Sequence, residues 1–386
     1  MSIACRRLPF VLLFAMLATT VAGCSHGSWR GTVKIGFVGP FSGYDTTSAY
    51  DDYRALQLAV EEWNDNGGVV GYRVEVVALD DRNQPLEAAL QAREMAADPD
   101  VLGVVGYFSA ETAAAAEREH ALLGLPALVL AAGWEGAAPP GVLRLGPAME
   151  EMATEAADWL QERSRGGPVA VVYEERGPAE RGLAENLARL VQSEARARGL
   201  SVDSIRLGRY DRNWPELARR LRVSKARAVY YSGSFEPLAS FWAAEGGSLP
   251  GLELLASDKA DTPDFARLIG GKASAVVYQP STYDFAMDDR GLSFEARYRK
   301  LTGKQPRPNA RLTYAAAVYL LQKAAAAAEG DKKPNRRDLM RLWWQPEQSR
   351  EGAGATLWES KNPSGMPALA GLHLATPGYP GPREVP

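Results

Sequence analysis

The chain has 386 residues, of which 46% are hydrophobic and 24% are charged, a balance typical of a folded globular protein. Its formal net charge is −3, and acidic and basic residues are interspersed, which argues against a nucleic-acid partner. The two cysteines and three histidines lie far apart in sequence and give no metal-ligand or disulfide spacing. We therefore expect a protein that works without a metal or another cofactor.

The N-terminal segment has the features of an export signal. Two arginines precede an apolar run at residues 8–22, which is shorter than the roughly 20 residues needed to cross a bilayer. Small residues then precede Cys24, and this pattern resembles a bacterial lipobox. The resemblance implies that residues 1–23 are a lipoprotein signal peptide and that Cys24 is lipidated; an ordinary cleaved signal is the alternative. Residues 24–32 would form a tether between the membrane and a folded body.

The next part of the chain repeats one pattern, a short apolar run followed by a loop and an amphipathic helix. In its first repeat, Leu56, Ala59 and Trp63 fall on one helix face. Strands that alternate with helices indicate right-handed crossovers and a parallel sheet that is covered on both faces. The predicted strands are 33–38, 72–79, 101–108 and 126–131, and the helices that follow include 85–97 and 112–123.

The alternation pauses at residues 133–150, a stretch rich in Gly, Pro and Ala that flanks a short apolar run at 142–145. We interpret this stretch as a crossing between two lobes. The alternation of strands and helices then resumes. The alanines at 324–328, near the end of the last predicted helix, are interpreted as a plain surface helix end. The predicted strands here are 168–173, 201–207, 227–232, 252–256 and 273–279, and the helices are 149–164, 181–198, 214–224, 237–245, 263–269, 291–302 and 310–328.

Short motifs stand in order along this α/β pattern: Gly39-Pro40-Phe41-Ser42-Gly43, residues 59–68, Asp80-Asp81, Val104-Val105-Gly106, residues 170–173, residues 181–184 and residues 314–317. Together they resemble the type I periplasmic solute-binding proteins of the leucine/isoleucine/valine-binding family, in lipoprotein form. The resemblance covers roughly residues 33–375. It implies two doubly wound parallel-sheet lobes joined by a three-crossover hinge. The implied N-terminal lobe is 33–147 plus 278–365, and the implied C-terminal lobe is 148–277 plus 366–386.

The same resemblance implies a function. Such proteins deliver a small polar ligand to an ABC importer, so the implied partners are the ligand, a permease and its ATPase subunits. The ligand would be an amino acid or a related amide or carboxylate, clamped between the lobes. The implied location is the periplasmic face of the cell envelope, with the lipid at Cys24 as the membrane anchor.

The expected ligand site lies where the carboxyl ends of the parallel strands meet the N-termini of the following helices. By resemblance, the loop of Ser109, Glu111 and Thr112 binds a ligand carboxylate, although Ser and Thr also serve as helix N-caps. Asp258 is suited to a ligand ammonium, with the N-cap of a turn as the alternative. The other candidates are Ser42, Tyr44, Tyr50, Trp134, Ser234 and Phe235.

Two loops depart from the family pattern. Residues 131–134 read Ala-Ala-Gly-Trp where amino-acid binders carry a hydroxyl, and Trp134 adds a large flat surface. This substitution predicts a ligand larger or flatter than valine. Residues 177–179 read Gly-Pro-Ala where a tyrosine is usual.

Two other classes of function are alternatives to solute binding. An enzyme is not expected, because the chain has neither a phosphate-binding Gly-rich loop nor a nucleophile elbow. Asp80 and Asp81 would point to opposite faces of an extended segment, and His120 lies near a helix end that favours positive charge. The alternative is a lipid-anchored sensing or docking module for an envelope protein, similar to penicillin-binding-protein activators, with a cleft filled by its own side chains.

Overall fold

The computed structural model describes residues 29–42, 46–175, 183–208, 213–260, 289–330 and 332–343, and short pieces at 265, 268–269, 276–278, 285–287, 372–374 and 383–384. The signal segment, Cys24, Tyr44 and the loop at 177–179 lie outside these residues. In the described part of the chain, no helix combines the length and apolarity needed to span a bilayer. The same part contains no group of three or more His, Cys, Asp or Glu residues that could hold a metal ion.

The N-terminal elements alternate as the sequence predicts. In chain order they are β1 (Thr32–Gly39), α1 (Thr46–Asp65), β2 (Arg73–Asp80), α2 (Pro85–Ala97), β3 (Val101–Gly106), α3 (Ala110–Leu123), β4 (Ala127–Val129) and β5 (Val142–Arg144). The five strands pair in parallel in the order β2-β1-β3-β4-β5. The short apolar run inside the stretch that was interpreted as a crossing between lobes thus supplies β5 of this sheet.

The middle of the chain forms a second sheet. Its elements are α4 (Met149–Ser164), β6 (Val169–Glu174), α5 (Leu183–Ala197), β7 (Val202–Leu207), α6 (Trp214–Ser224), β8 (Ala228–Ser232), α7 (Phe235–Glu245), β9 (Glu253–Ala256) and β10 (Val276–Tyr278). These strands are also parallel, and the last strand of the chain, β13 (Arg383–Glu384), pairs antiparallel with β10 at the edge, giving the order β13-β10-β9-β8-β6-β7.

The C-terminal part of the chain supplies helices that pack on the first sheet and a strand of the second sheet. Its elements are β11 (Phe285–Met287), α8 (Asp289–Thr302), α9 (Pro308–Ala327), α10 (Arg336–Trp343), β12 (Leu372–Leu374) and β13 (Arg383–Glu384). Strands β11 and β12 pair with each other in an antiparallel ribbon. The division of the chain into lobes at 147/148, 277/278 and 365/366 stays a prediction.

Helices cover both faces of each sheet, which is the doubly wound arrangement that the sequence predicts. On one face of the first sheet, Phe37 and its neighbours pack against α1 and α9; on the other face, Val38 and Val104 pack against α2 and α3. In the second sheet, α6 and α7 cover one face and α4 and α5 the other. We call the first sheet with its helices the first lobe, and the second sheet with its helices the second lobe.

The end of α9 differs from its interpretation as a surface helix end. Ala324 and Ala327 are buried in the first-lobe core, and α9 packs along α1. Small side chains let the two helices approach closely, so the run of alanines serves packing as well as helix propensity.

Helix α10, which the sequence analysis did not predict, is attached to the first lobe by the buried Leu339 and Trp343 and by Arg336. The Arg336 guanidinium donates hydrogen bonds to the carbonyl oxygens of Met95, Ala96, Asp98 and Val101. These carbonyls lie at and beyond the C-terminus of α2, where helix carbonyls lack partners within the helix. Arg336 therefore caps α2 from a distant part of the sequence.

Candidate functional site

The candidate residues gather at the carboxyl edges of the two sheets. Strands β1, β3 and β4 are neighbours in the first sheet, and the loops that follow them lie at the same edge. The predicted residues at this edge are Ser42, Tyr50, Ser109, Glu111, Thr112 and Trp134, and those at the corresponding edge of the second sheet are Ser234, Phe235 and Asp258.

Ser109 and Thr112 form the N-cap of α3. The Ser109 Oγ accepts a hydrogen bond from the Thr112 backbone N–H at 3.3 Å, and the Thr112 hydroxyl donates to the Ser109 carbonyl at 3.0 Å. Thr112 is fully buried, whereas Ser109 is half-buried. The two hydroxyl oxygens lie 3.0 Å apart, so the cap uses both of them. Because Thr112 is buried, Ser109 is the better placed of the two for a ligand, and its ligand role stays a prediction.

Ser42 holds the loop after β1 against the end of β2. Its backbone N–H and its hydroxyl donate to the Asp80 carboxylate at 3.2 and 2.5 Å. Partial burial works to raise the pKa of Asp80, but the hydrogen bonds from Ser42 and from the Arg82 amide outweigh it and the pKa is lowered. Asp81, the next residue, is buried, and burial raises its pKa from 3.8 to about 6. The two adjacent carboxylates therefore lie in different surroundings.

Aromatic rings stack in layers at this edge of the first sheet. Phe37 is fully buried, and the rings of Phe41 and Phe108 pack on it with centroid distances of 5.6 and 5.8 Å. Tyr50 packs edge-to-face on Phe41 at 5.3 Å and is 56% exposed. Tyr50 thus lies at this edge on Phe41, which the sequence analysis did not assign to the site, and the ligand role of Tyr50 stays a prediction.

Trp134 is held in place by a buried ion pair. Its indole N–H donates to the Gly146 carbonyl at 2.8 Å, and the Arg144 guanidinium lies 4.9 Å from the ring centroid. Arg144 in turn makes a bidentate pair with Glu117, with N–O distances of 2.7 and 2.5 Å, and donates to the Gly136 carbonyl. Arg144 and Glu117 are both buried, so this pair fixes the loop that carries Trp134.

The loop that carries Trp134 also contacts the start of the second lobe. The Gly133 N–H donates to the Pro147 carbonyl at 2.8 Å, and the Met149 N–H donates to the Trp134 carbonyl at 3.0 Å. Met149 is the first residue of α4, which belongs to the second lobe. Trp134 is therefore placed by contacts with both lobes.

In the second lobe, a buried carboxylate holds Ser234. The Ser234 hydroxyl donates to Glu174 at 2.8 Å, and the Tyr231 hydroxyl donates to the same carboxylate at 2.7 Å. Phe235 packs partly buried against the second-lobe core. The sequence analysis missed Glu174, although a carboxylate at the end of an otherwise apolar strand was a signal that could have identified it.

Asp258 begins a short 3-10 helix, Asp258–Ala260, directly after β9. It lies near Tyr230, whose pKa is raised well above its ordinary value by burial and, secondarily, by the charge of Asp258. The structure thus puts Asp258 at the edge of the second sheet, as predicted. Its role toward a ligand ammonium stays a prediction.

One ion pair joins the edges of the two lobes. Lys259 Nζ lies 2.9 Å from Glu111 Oε1, although 148 residues separate them in sequence. Both side chains remain partly exposed, at 30% and 31%. The edges that carry Ser109 and Asp258 therefore face each other across this contact.

Replacing Lys259 with methionine should shift the protein toward a more open arrangement of its lobes. A partly exposed pair contributes about 0.2–1 kcal/mol, which changes a two-state ratio by up to about fivefold. The unliganded variant should show a larger radius of gyration in small-angle X-ray scattering, and high salt should reduce its difference from the parent. The charge-swapped Glu111→Lys/Lys259→Glu protein should restore the parent value. Identical scattering from the parent and Lys259→Met would contradict a role of the Glu111–Lys259 pair in holding the lobes together.

His120 was expected to carry positive charge near the end of α3, and that expectation is wrong. The side chain is buried, its Nδ1 donates to the Leu125 carbonyl at 2.9 Å, and its Nε2 accepts from the Tyr107 hydroxyl at 2.8 Å. Burial lowers the pKa of His120 to about 4, so the ring is neutral at neutral pH. Burial outweighs the attraction of the helix dipole for a cation.

Comparisons with known proteins agree with this architecture. A family model described as "Periplasmic binding protein" matches residues 32–350. The chain is 26% identical over 336 residues to a Leu/Ile/Val-binding protein homologue of Brucella melitensis, covering 81% of each chain. It also resembles a solved leucine binding protein of Thermotoga maritima (20% identity, TM-score 0.67, covering 80% of this chain and 86% of that chain). A branched-chain amino acid transporter substrate binding protein of Streptococcus pneumoniae, solved with isoleucine, gives 20% identity and a TM-score of 0.66 over 80% of this chain and 87% of that chain.

Proposed function

Because this chain belongs to the periplasmic binding protein family, we propose that it is the extracytoplasmic solute-binding protein of an ABC importer. Its two lobes clamp a small ligand between their carboxyl edges, and a permease with its ATPase subunits receives that ligand. The observation that carries the proposal is the Glu111–Lys259 contact, since it joins the two edges at which the candidate binding residues gather. A ligand that touches both edges would favour the closed arrangement by its additional contacts.

The proposed ligand is an amino acid or a related carboxylate or amide. The named relatives bind leucine, isoleucine or valine, or are homologues of proteins that do, which supports this class. Ser109 and the start of α3 would bind the ligand carboxylate, and Asp258 would bind an ammonium group. The proposal assigns no catalytic step to the protein.

A ligand of this class, present at a hundred times its dissociation constant, should stabilise the protein by about 2.7 kcal/mol and raise the melting temperature by a few degrees. Thermal melts with amino acids, amides, aliphatic acids and aromatic acids would find it, and scattering should show a smaller radius of gyration with the ligand bound. Asp258→Asn should abolish the shift for ligands that carry an ammonium group. Asp65→Asn, at the exposed C-terminus of α1, is the matched control and should respond as the parent does. Tight binding without compaction would contradict the clamp.

We further propose that a lipid on Cys24 anchors the protein at the periplasmic face of a membrane, with residues 1–23 removed. The support is the lipobox-like sequence alone. Cys24→Ser should give a protein that is not acylated and is recovered in the soluble fraction or with its signal still attached, because two acyl chains supply the stable membrane affinity. Metabolic labelling with a fatty acid and membrane fractionation measure both effects. Normal membrane retention of this variant would contradict the anchor.

A further inference from the structure

Three adjacent strands of the first sheet each deliver an aromatic side chain to the same edge. Phe41 lies two residues after β1, Phe108 two residues after β3, and Trp134 five residues after β4. All three side chains are partly exposed. We call these three residues, together with the exposed Tyr50 on Phe41, the aromatic edge.

The rings of the aromatic edge are fixed in position. Phe41 and Phe108 rest on the buried ring of Phe37, and the indole N–H of Trp134 is bound to the Gly146 carbonyl. A ligand would therefore meet rings that are already ordered, and little conformational entropy would be lost when they bind it.

Hydroxyl groups near the aromatic edge are already used by the protein. The Ser42 hydroxyl donates to Asp80, and the Thr112 hydroxyl donates to the Ser109 carbonyl. On the facing lobe, the Ser234 hydroxyl donates to Glu174. Three side chains that could have donated hydrogen bonds to a ligand thus have internal acceptors, while ring surface remains exposed beside them.

We propose that the ligand carries an aromatic ring, which packs against the aromatic edge. Ordered rings favour offset or edge-to-face contacts with another ring over contacts with an aliphatic group of the same size. The inference rests on the proposed function for the location of the ligand in the cleft and for its carboxylate. It names a substrate class, ring-bearing amino acids or ring-bearing carboxylates, that differs from the branched-chain amino acids of the named relatives.

Isothermal titration calorimetry with two matched pairs of ligands tests the proposal. The first pair is L-phenylalanine and 3-cyclohexyl-L-alanine, and the second is phenylacetate and cyclohexylacetate. Each pair keeps the shape and charge nearly constant and removes only the aromaticity of the ring. In at least one pair the aromatic member should bind about 3- to 10-fold more tightly. The pair that shows this preference also distinguishes an amino acid ligand from a simple carboxylate.

Two variants attribute the preference to the aromatic edge. Phe108→Leu keeps an apolar side chain of similar size, and Tyr50→Leu changes an exposed residue. Each should reduce the preference for the aromatic member, and Phe108→Leu should bring it close to onefold. Tyr72→Leu is the matched control, because Tyr72 is partly buried next to the start of β2 at the opposite edge of the sheet. It should keep the parent preference.

Equal or weaker binding of the aromatic member in both pairs would overturn the inference, as would an unchanged preference in both Phe108→Leu and Tyr50→Leu. Tight binding of L-leucine without binding of any ring-bearing ligand would also overturn it and would leave the proposed function intact. If neither these ligands nor any other amino acid, amide or carboxylate binds, the proposed function fails as well.

Discussion

Replacing Arg144 with methionine should lower the free energy of unfolding by about 3–5 kcal/mol, because the substitution leaves the Glu117 carboxylate buried without its partner. The guanidinium also supports the Trp134 ring and donates to the Gly136 carbonyl, so the loop at the cleft should loosen as well. Urea unfolding followed by circular dichroism measures the loss of stability, and ligand titration measures the effect on the loop.

A second ion pair, whose glutamate also lies on α3, provides the control. Arg93 and Glu119 have the same bidentate geometry, with two N–O distances of 2.8 Å, but the Arg93 side chain is 60% exposed. Arg93→Met should therefore change stability far less than Arg144→Met. The double variant Glu117→Leu/Arg144→Met removes both buried charges and should recover most of the stability. Equal losses from Arg93→Met and Arg144→Met would show that burial does not set the size of the effect.

Replacing Asp81 with asparagine should change how stability depends on pH. The pKa of Asp81 is about 6 in the folded protein and 3.8 as its ordinary value, so between these values the folded state holds a proton that the unfolded state has lost. The contribution of Asp81 to the stability of the parent therefore falls by about 3 kcal/mol as the pH rises from about 4 to 6. An asparagine side chain cannot ionise, so the free energy of unfolding of the variant relative to the parent should rise by that amount over the same range.

The titratable side chains of Asp80 and His120 make the sign of this effect testable. The pKa of Asp80 is lowered, so its contribution to stability is lost as the pH falls, and Asp80→Asn should give a difference of the opposite slope. The low pKa of His120 also removes stability as the pH falls from about 6.5 toward 4, which opposes Asp81 in the parent. Urea titrations at several pH values, taken as differences between each variant and the parent, separate these contributions. Parallel curves for Asp81→Asn and the parent would contradict the assignment.

Local patterns were sufficient to predict most of the fold. Helix α2 matches its predicted range, 85–97, because a proline at the first helical position fixes its start and apolar periodicity marks its buried face. The N-cap role of Ser109 was also readable from its neighbours. By contrast, α10 has only eight residues and was missed, although Asn335 caps its start by accepting a hydrogen bond from the Asp338 N–H. The contacts that fix it, through Leu339, Trp343 and Arg336, join it to distant parts of the chain.

Local patterns predict the positions of the candidate site residues but not the contacts that orient them. The strand ends and the residues that follow them could be read from the alternation of strands and helices. The contacts that orient them join positions far apart in sequence: Glu117 with Arg144 across 27 residues, and Glu111 with Lys259 across 148. The neutral His120 and the buried Ala324 were misread for the same reason, because their surroundings come from other elements.

Helix α9 lies late in the chain but packs in the first lobe, and this order affects how the protein folds during synthesis. Elements α4 through β9 of the second lobe come from one continuous segment of the chain. Most of the second-lobe core can therefore form as soon as that segment has been synthesised. The first lobe begins at the N-terminus, yet one face of its sheet packs against α9, which is made much later. A growing or truncated chain that ends before Pro308 therefore leaves apolar strand surface open to water. Such chains would aggregate or be cut by proteases first in their N-terminal half.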